Sequence, residues 1–154
     1  MAIHKIDGVD AVNNFPKKFV VLHALAAVTK GDILMIETDT GVTDYNKNGL
    51  GASVAKAVGA STTGDEGLAV IGVAAETITA AGPVKIQTAG KFENANVHTD
   101  VTRFEGIVVL DGTAGQGVAW TAATTLTLPF AIALQDAPST GAATDIMIMD
   151  KGFF

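Results

Sequence analysis

The chain has no cysteine in its 154 residues. That excludes a disulfide framework, thiolate zinc sites and a cysteine nucleophile, while leaving the compartment open. Serine is scarce too, with only Ser53, Ser61 and Ser139, none of them in a G-x-S-x-G elbow. Histidine occurs only as His4, His23 and His98, too widely spaced for an H-x-H or H-x-x-x-H metal pair. Aromatic residues make up 6% of the chain, which leaves little for the platform of a carbohydrate groove. The lone Trp120 stands between Ala119 and Thr121 at a strand end and reads as filling a core or subunit contact. Long apolar runs are also missing. A membrane helix needs about 20 consecutive apolar residues. The best candidate, Phe19 to Val28, is interrupted by His23 and stops at Thr29-Lys30-Gly31-Asp32. The start, Met1-Ala2-Ile3-His4-Lys5, lacks the apolar run of a signal peptide.

Charge is in short supply as well. Only 17% of residues are charged against 48% hydrophobic, and mean hydropathy is +0.36. With no membrane span to absorb this excess, a subunit interface explains it best, because obligate interfaces resemble a core cut in half. A homo-oligomer is expected, with three copies the favoured number. The net charge of −6 argues against direct contact with nucleic acid, which needs clustered Lys and Arg. The charge is uneven. Residues 1–30 hold four lysines against two aspartates, and the remainder six bases against fourteen acids.

The length fits one domain, able to bury roughly 68–70% of its unfolded surface. Residues 1–18, with Asn13-Asn14 and Pro16-Lys17-Lys18, show no period and read as an extended arm. Residues 19–154 then form a single β domain with an insert at 39–67. What fills it is strand and turn. Phe19–Leu25 and Ile33–Glu37 flank the turn Thr29–Asp32, and from Leu68 onward short apolar runs alternate with Gly-rich turns. These runs are 68–74, 84–88, 92–97, 104–110, 117–120, 124–128, 130–134 and 146–149, with turn signals at 81–83, 89–91, 111–112 and 115–117. Within the insert, Ala52 to Val58 has helical spacing, with Val54 and Val58 at i, i+4 and Gly59 as a stop. One hairpin-like pattern is written twice. Gly72–Gly82 aligns without a gap on Ala131–Gly141 at an offset of 59, and each is followed by a return strand, Val84-Lys85-Ile86-Gln87 in one and Ile146-Met147-Ile148 in the other. Two copies are too few for a solenoid. The expected fold is all-β: a small β-barrel, β-tulip or sandwich with one short helix and an N-terminal arm.

The candidate chemistry is thin. Asp44-Tyr45-Asn46-Lys47-Asn48-Gly49 matches the first half of a calcium loop through Asp44, Asn46 and Asn48. Calcium wants a bidentate carboxylate at the twelfth position, which here is Ala55, and the ninth is Ala52. A plain polar loop is the better reading, with no metal and no cofactor. Gly49-Leu50-Gly51 lacks the third glycine of a dinucleotide turn, and Gly115-Gln116-Gly117 leads into a strand instead of a helix. His98 and Asp100, two apart, would share one strand face; a surface or packing histidine is the better reading, and with Arg103 the pair is the best catalytic set the chain offers. Gly152-Phe153-Phe154 differs in kind, because two phenylalanines beyond the last strand are a liability unless they dock.

Three stretches resemble the capsid-decoration (cement) proteins of tailed bacteriophages. They are Val28–Leu34, then Ile71–Glu76 with Ala80-Ala81-Gly82 and Val84-Lys85-Ile86, and finally Ala131–Ala137 with Gly141 and Ile146-Met147-Ile148, about half the chain. The resemblance implies a β-tulip or small barrel that trimerises, binds the major capsid protein at three-fold positions of the head and reinforces the shell without catalysis. The insert from Asp39 to Gly67 departs from the smallest such proteins and leaves a dimeric jelly-roll cement open. The expected location is the outer capsid surface of a virion, after synthesis in the host cytoplasm. Contact residues expected for the capsid or a neighbouring subunit are Ile3, Lys5, Phe15, Lys17, Lys18, Trp120, Phe153 and Phe154. Rival readings are a glycan- or receptor-binding β module on a virion or cell surface, and an enzyme with a site between subunits at His98, Asp100 and Arg103.

Overall fold

A computed structural model describes residues 16–36, 53–56, 70–109, 114–120, 129–138 and 143–150. Every regular element among them is a strand, as expected of an all-β chain. In chain order these are β1 (Lys18–Ala24), β2 (Ile33–Ile36), β3 (Ser53–Lys56), β4 (Val70–Ala74), β5 (Gly82–Ala95), β6 (Gly106–Val109), β7 (Gly117–Ala119), β8 (Ala131–Ala133) and β9 (Thr144–Ile148). They hydrogen-bond in the order β1-β3-β2-β4-β5-β9-β8-β6-β7, and β1 also pairs with β5. The first five strands therefore close on themselves into a small barrel. The second barrel runs from the far half of β5 through β9, β8, β6 and β7, and the Val97–Gly117 bridge brings its ends together.

Alternation is the cause at each step. In β9, Thr144, Ile146 and Ile148 point inward while Asp145 and Met147 face out. In β1, Leu22 and Ala24 are buried and Phe19 and Val21 are exposed. The second barrel depends on β5, which departs from the sequence expectation of a turn at Ala89-Gly90-Lys91. The chain instead runs unbroken from Gly82 to Ala95. Gly90 takes φ +87, and a Cβ there would meet the Pro16 carbonyl at 2.8 Å, so a glycine serves to bend one strand from one barrel into the next. The expected helix at 52–58 is corrected too, because residues 53–56 are β3. The i, i+4 valines did not set the outcome. Ser53 and Val54 pair in parallel with His23 and Ala24, and Val54–Lys56 pair antiparallel with β2. Buried Val54 joins the first core, so tertiary pairing overrode a weak local preference.

The two barrels are copies of one another in their main-chain bonding. In the first, the Gly31 N–H donates to the Ala74 carbonyl and the Ala74 N–H to the Asp32 carbonyl, each at 2.9 Å. In the second, the Phe104 N–H donates to Ala133 at 2.8 Å and the Ala133 N–H to Glu105 at 2.9 Å. Val28 bridges Ile78, as the Ala137 N–H bonds the Val101 carbonyl. Lys30 N–H reaches Thr77 Oγ1 and Arg103 N–H reaches Asp136 Oδ1. Leu25 N–H bonds Val54 and His98 N–H bonds Gly117. The turns match as well, since Thr29 N–H donates to Asp32 Oδ2 and Thr102 N–H to Glu105 Oε2. The repeat seen in the sequence at an offset of 59 thus extends backward to Val28 and Val101, where the offset is 73. The first unit carries 14 more residues between β2 and β4, within the 39–67 stretch noted above.

Two cores result. Leu22, Ala24, Val28, Leu34, Val54, Ile71, Ala74, Val84 and Ile86 fill the first barrel. Phe92, Ala95, Val97, Val101, Ile107, Phe130, Ala133 and Ile146 fill the second, joined by Ile33, Val70 and Val73 from the first. Those three are the joint between barrels. Ile33 comes within 2.8 Å of where a Cβ on Gly117 would sit, so the absence of a side chain at Gly117 makes the socket. Around it, the Asn96 N–H bonds Gly31, the Ile33 N–H bonds Gly115, and Asn96 Nδ2 donates to Asp32 Oδ1 at 3.2 Å.

Candidate functional site

Of the residues expected to make contacts, Lys17, Lys18 and Trp120 are described. Ile3, Lys5, Phe15, Phe153 and Phe154 lie outside the described residues, as do Asp44, Asn46 and Asn48 of the calcium-like loop. Lys17 and Lys18 are exposed, and Lys18 opens β1. Its ammonium pairs with Asp150, the last described residue of the chain. The positions from which residues 1–15 and 151–154 continue are therefore side by side. Between them lies a groove of about 310 Å³, lined by Pro16, Lys18, Ala89, Gly90, Met147–Met149 and Asp150. Its lining is mainly apolar, with one ion pair at its rim, which suits an apolar segment flanked by charge.

Met147 links this groove to an open apolar face on the second barrel. Across the sheet, Met147 pairs with Ile132 and with Lys91, and Ile132 with Gly106, and such directly opposed residues share a face. Phe104 leads into this row, exposed and in the left-handed region at φ 68, with the Arg103 guanidinium 4.4 Å above its ring. Trp120 sits against the same strand, its N–H bonding Gly106 at 2.8 Å. The indole itself is half-buried, and its Nε1 is buried without an acceptor among the described residues. Lys91 bounds the row. Its ammonium is 3.2 Å from Asp145 and 3.3 Å from Glu93, and the Asp145 bond, partly offset by burial, holds its pKa above the ordinary lysine value of 10.5.

The catalytic set suggested by the sequence is brought together only in part. His98 Nδ1 and Asp100 Oδ1 are 2.9 Å apart, but in an exposed turn past β5, not on a strand face. Arg103 points elsewhere, onto Phe104. Among the described residues no group of three or more His, Asp or Glu is arranged to hold a metal ion, and no helix is long and apolar enough to cross a membrane.

Sequence reading missed the Phe104 face. A Phe in the pattern Val-Thr-Arg-Phe-Glu, against Val28-Thr29-Lys30-Gly31-Asp32, was the available signal, since it puts an aromatic where the other copy has glycine.

No family model matches the chain, and no curated protein matches it. Among solved structures, the chain is similar to the N base of the head fiber gp8.5 of bacteriophage phi29. The match covers 87% of this chain and 95% of that one, with 12% sequence identity and a TM-score of 0.52, which establishes a shared all-β fold.

Proposed function

We propose that the chain is a structural protein of a phage head, a decoration (cement) protein that self-associates and adds buried area to the outer capsid surface. The observation that carries the reading is the fold likeness, over 87% of this chain, to the N base of a phage head fiber. It agrees with the resemblance to cement proteins carried by Val28–Leu34, Ile71–Ile86 and Ala131–Ile148. The partner is the major capsid protein. The mechanism is passive: apolar surface buried across capsomer boundaries at about 25 cal/mol per Å² holds a closed shell against internal pressure. The two chain ends flanking one groove give a single place from which an arm and a Phe-Phe anchor reach the same neighbour.

Co-sedimentation with purified expanded heads of the phage encoding the protein tests this. The intact chain is expected to saturate the heads at a fixed stoichiometry. Deletion of residues 1–12, or replacement of Phe153 and Phe154 by Ala, leaves the circular dichroism intact and weakens binding at least about tenfold, equivalent to about 1.4 kcal/mol. Failure of the intact protein to bind heads would sink the reading. Full binding by both variants would remove the ends from it and move the contact to the barrel surface.

A further inference from the structure

The duplication gives every surface of the second barrel a counterpart on the first, and at one face the counterparts differ. On the first barrel, Gly31, Asp32, Ile33, Val73 and Gln87 are all buried, because the end of the second barrel covers them. On the second, the matching positions are Phe104, Glu105, Gly106, Ile132 and Met147, and no barrel among the described residues covers them: Pro129 and Trp120 of the same barrel lie over Gly106, Glu105 and Met147 are half-exposed, and Phe104 and Ile132 stand in the open. Phe104 is 69% exposed and Ile132 37%. The four large apolar side chains exposed among the described residues fall into two pairs. Phe104 and Ile132 are on the second barrel, and Phe19 (44%) and Val21 (56%) are on β1 of the first. Each pair has a cation over its phenyl ring, Arg103 over Phe104 and Lys85 at 4.5 Å over Phe19.

We infer that the Phe104–Ile132–Met147 face receives the first barrel of a second copy of this chain, through that copy's Phe19 and Val21. The occupant follows from the internal joint: this face of the fold is covered in the first barrel by a barrel of the same fold. In a second copy, the second barrel's end is already engaged by its own Ile33, so the first barrel is the one available. The contact does not repeat the internal joint side chain for side chain. Gly106 stands where the first barrel has its Ile33 knob, and Val54 fills the position of the Gly117 socket. Phe104 supplies the projecting group instead. Two unlike patches used together make a heterologous interface, in which each copy gives one face and receives on the other, and which closes into a ring when the rotation closes. This deepens the self-association part of the proposed function and is independent of the capsid.

The test uses the purified full chain alone, so it fails or succeeds separately from head binding. Molar mass is measured by light scattering at micromolar concentration for the wild type, Phe104→Asp, Phe19→Asp and an equimolar mixture of the two variants. Both sites are exposed, and circular dichroism confirms that each variant folds. If either loses its spectrum, Ile132→Asp and Val21→Asp replace the pair. The expected result is an oligomeric wild type, two monomeric variants and a mixture that forms a one-to-one dimer, because the intact patch of each variant meets the intact patch of the other. A monomeric wild type, an assembly that survives either substitution, or a mixture that stays monomeric would each overturn the inference.

Discussion

The turn 29–32 and the turn 102–105 are built from the same bonds and live in different surroundings. Both begin with a threonine whose N–H is held by the acid three residues on, and both put a residue of positive φ third. At that position the first turn has glycine, pressed against the neighbouring barrel. The second has phenylalanine, standing in the open. The lesson is that a duplicated unit keeps its main-chain skeleton while burial chooses the side chains. Where a barrel packs on top, the left-handed residue must be bare; where nothing described does, it can carry a ring.

The sharpest way to break the comparison is to exchange the two constraints. Gly31→Ala places a Cβ 2.8 Å from the Asn94 carbonyl at φ +97. It should destabilise the fold by about 3 kcal/mol, from backbone strain and the shift forced at the joint. Phe104→Ala leaves the strain unchanged and removes only an exposed ring. Measured by urea denaturation at a dilution where the chain is monomeric, its stability should lie within about 0.5 kcal/mol of the parent. Equal losses at the two positions would show that the turns are not distinguished by burial.

A smaller contrast is expected between the two acids. Asp32 is buried and accepts from Thr29 N–H at 2.9 Å and from Asn96 Nδ2 at 3.2 Å. Asp32→Ala leaves these donors without that acceptor at the joint and should cost about 2 kcal/mol. Among the described residues the Glu105 carboxylate accepts within its own turn alone, from the Thr102 N–H at 3.0 Å and Thr102 Oγ1 at 2.9 Å. Glu105→Ala should cost about 0.5–1 kcal/mol, the usual worth of an exposed cap. Thermal denaturation of the two variants side by side reads the difference.

The two ion pairs near the groove differ less. Lys91→Met should lower stability by under about 1 kcal/mol, and Lys18→Met, whose pair with Asp150 is exposed, by less still. The pKa of Lys91 is raised on folding, so its contribution is fully present below the ordinary value of 10.5 and lost as pH rises through the higher folded value. Above that range the wild type and Lys91→Met should converge in melting temperature. A gap that widens with alkaline pH would contradict the assigned Asp145 contact.

The last comparison concerns the 14 residues by which the first unit exceeds the second, in the stretch that contains Asp44–Gly49. Read as a plain loop, it should give no response. The melting temperature is expected to be the same in EDTA and in millimolar calcium, and a calcium-dependent rise abolished by Asp44→Ala would restore the metal reading.

Much of the architecture was legible in particular residues. Val84, Ile86 and Ile146, Ile148 alternate with polar or outward groups, and that period of two specifies strands whatever surrounds them. The hairpins 72–87 and 131–147 were legible as a repeat for the same reason, since small apolar strands and turns that differ by one residue keep their offset close to 59. The other half of each unit was hidden. Its offset is 73, the loops between differ in length, and its shared bonds run through main-chain atoms that place little demand on side chains. Thr77 and Asp136 serve alike because each offers an oxygen at the same point.

The sequence by itself determined that the chain is β, that it is rich in apolar residues and poor in charge, and that its pattern is doubled. Tertiary structure decided that Ala89-Gly90-Lys91 is a bend within one strand, because both halves of β5 find partners on either side of it. It decided that Val54 belongs to a strand, since β1 and β2 offered a place for it. It also decided that Val73 is core and Ile132 surface, two apolar residues at matching positions. Local pattern fixes which way a side chain points from its strand. What stands opposite depends on how one barrel is placed against the other, and that is a contact between residues far apart in sequence.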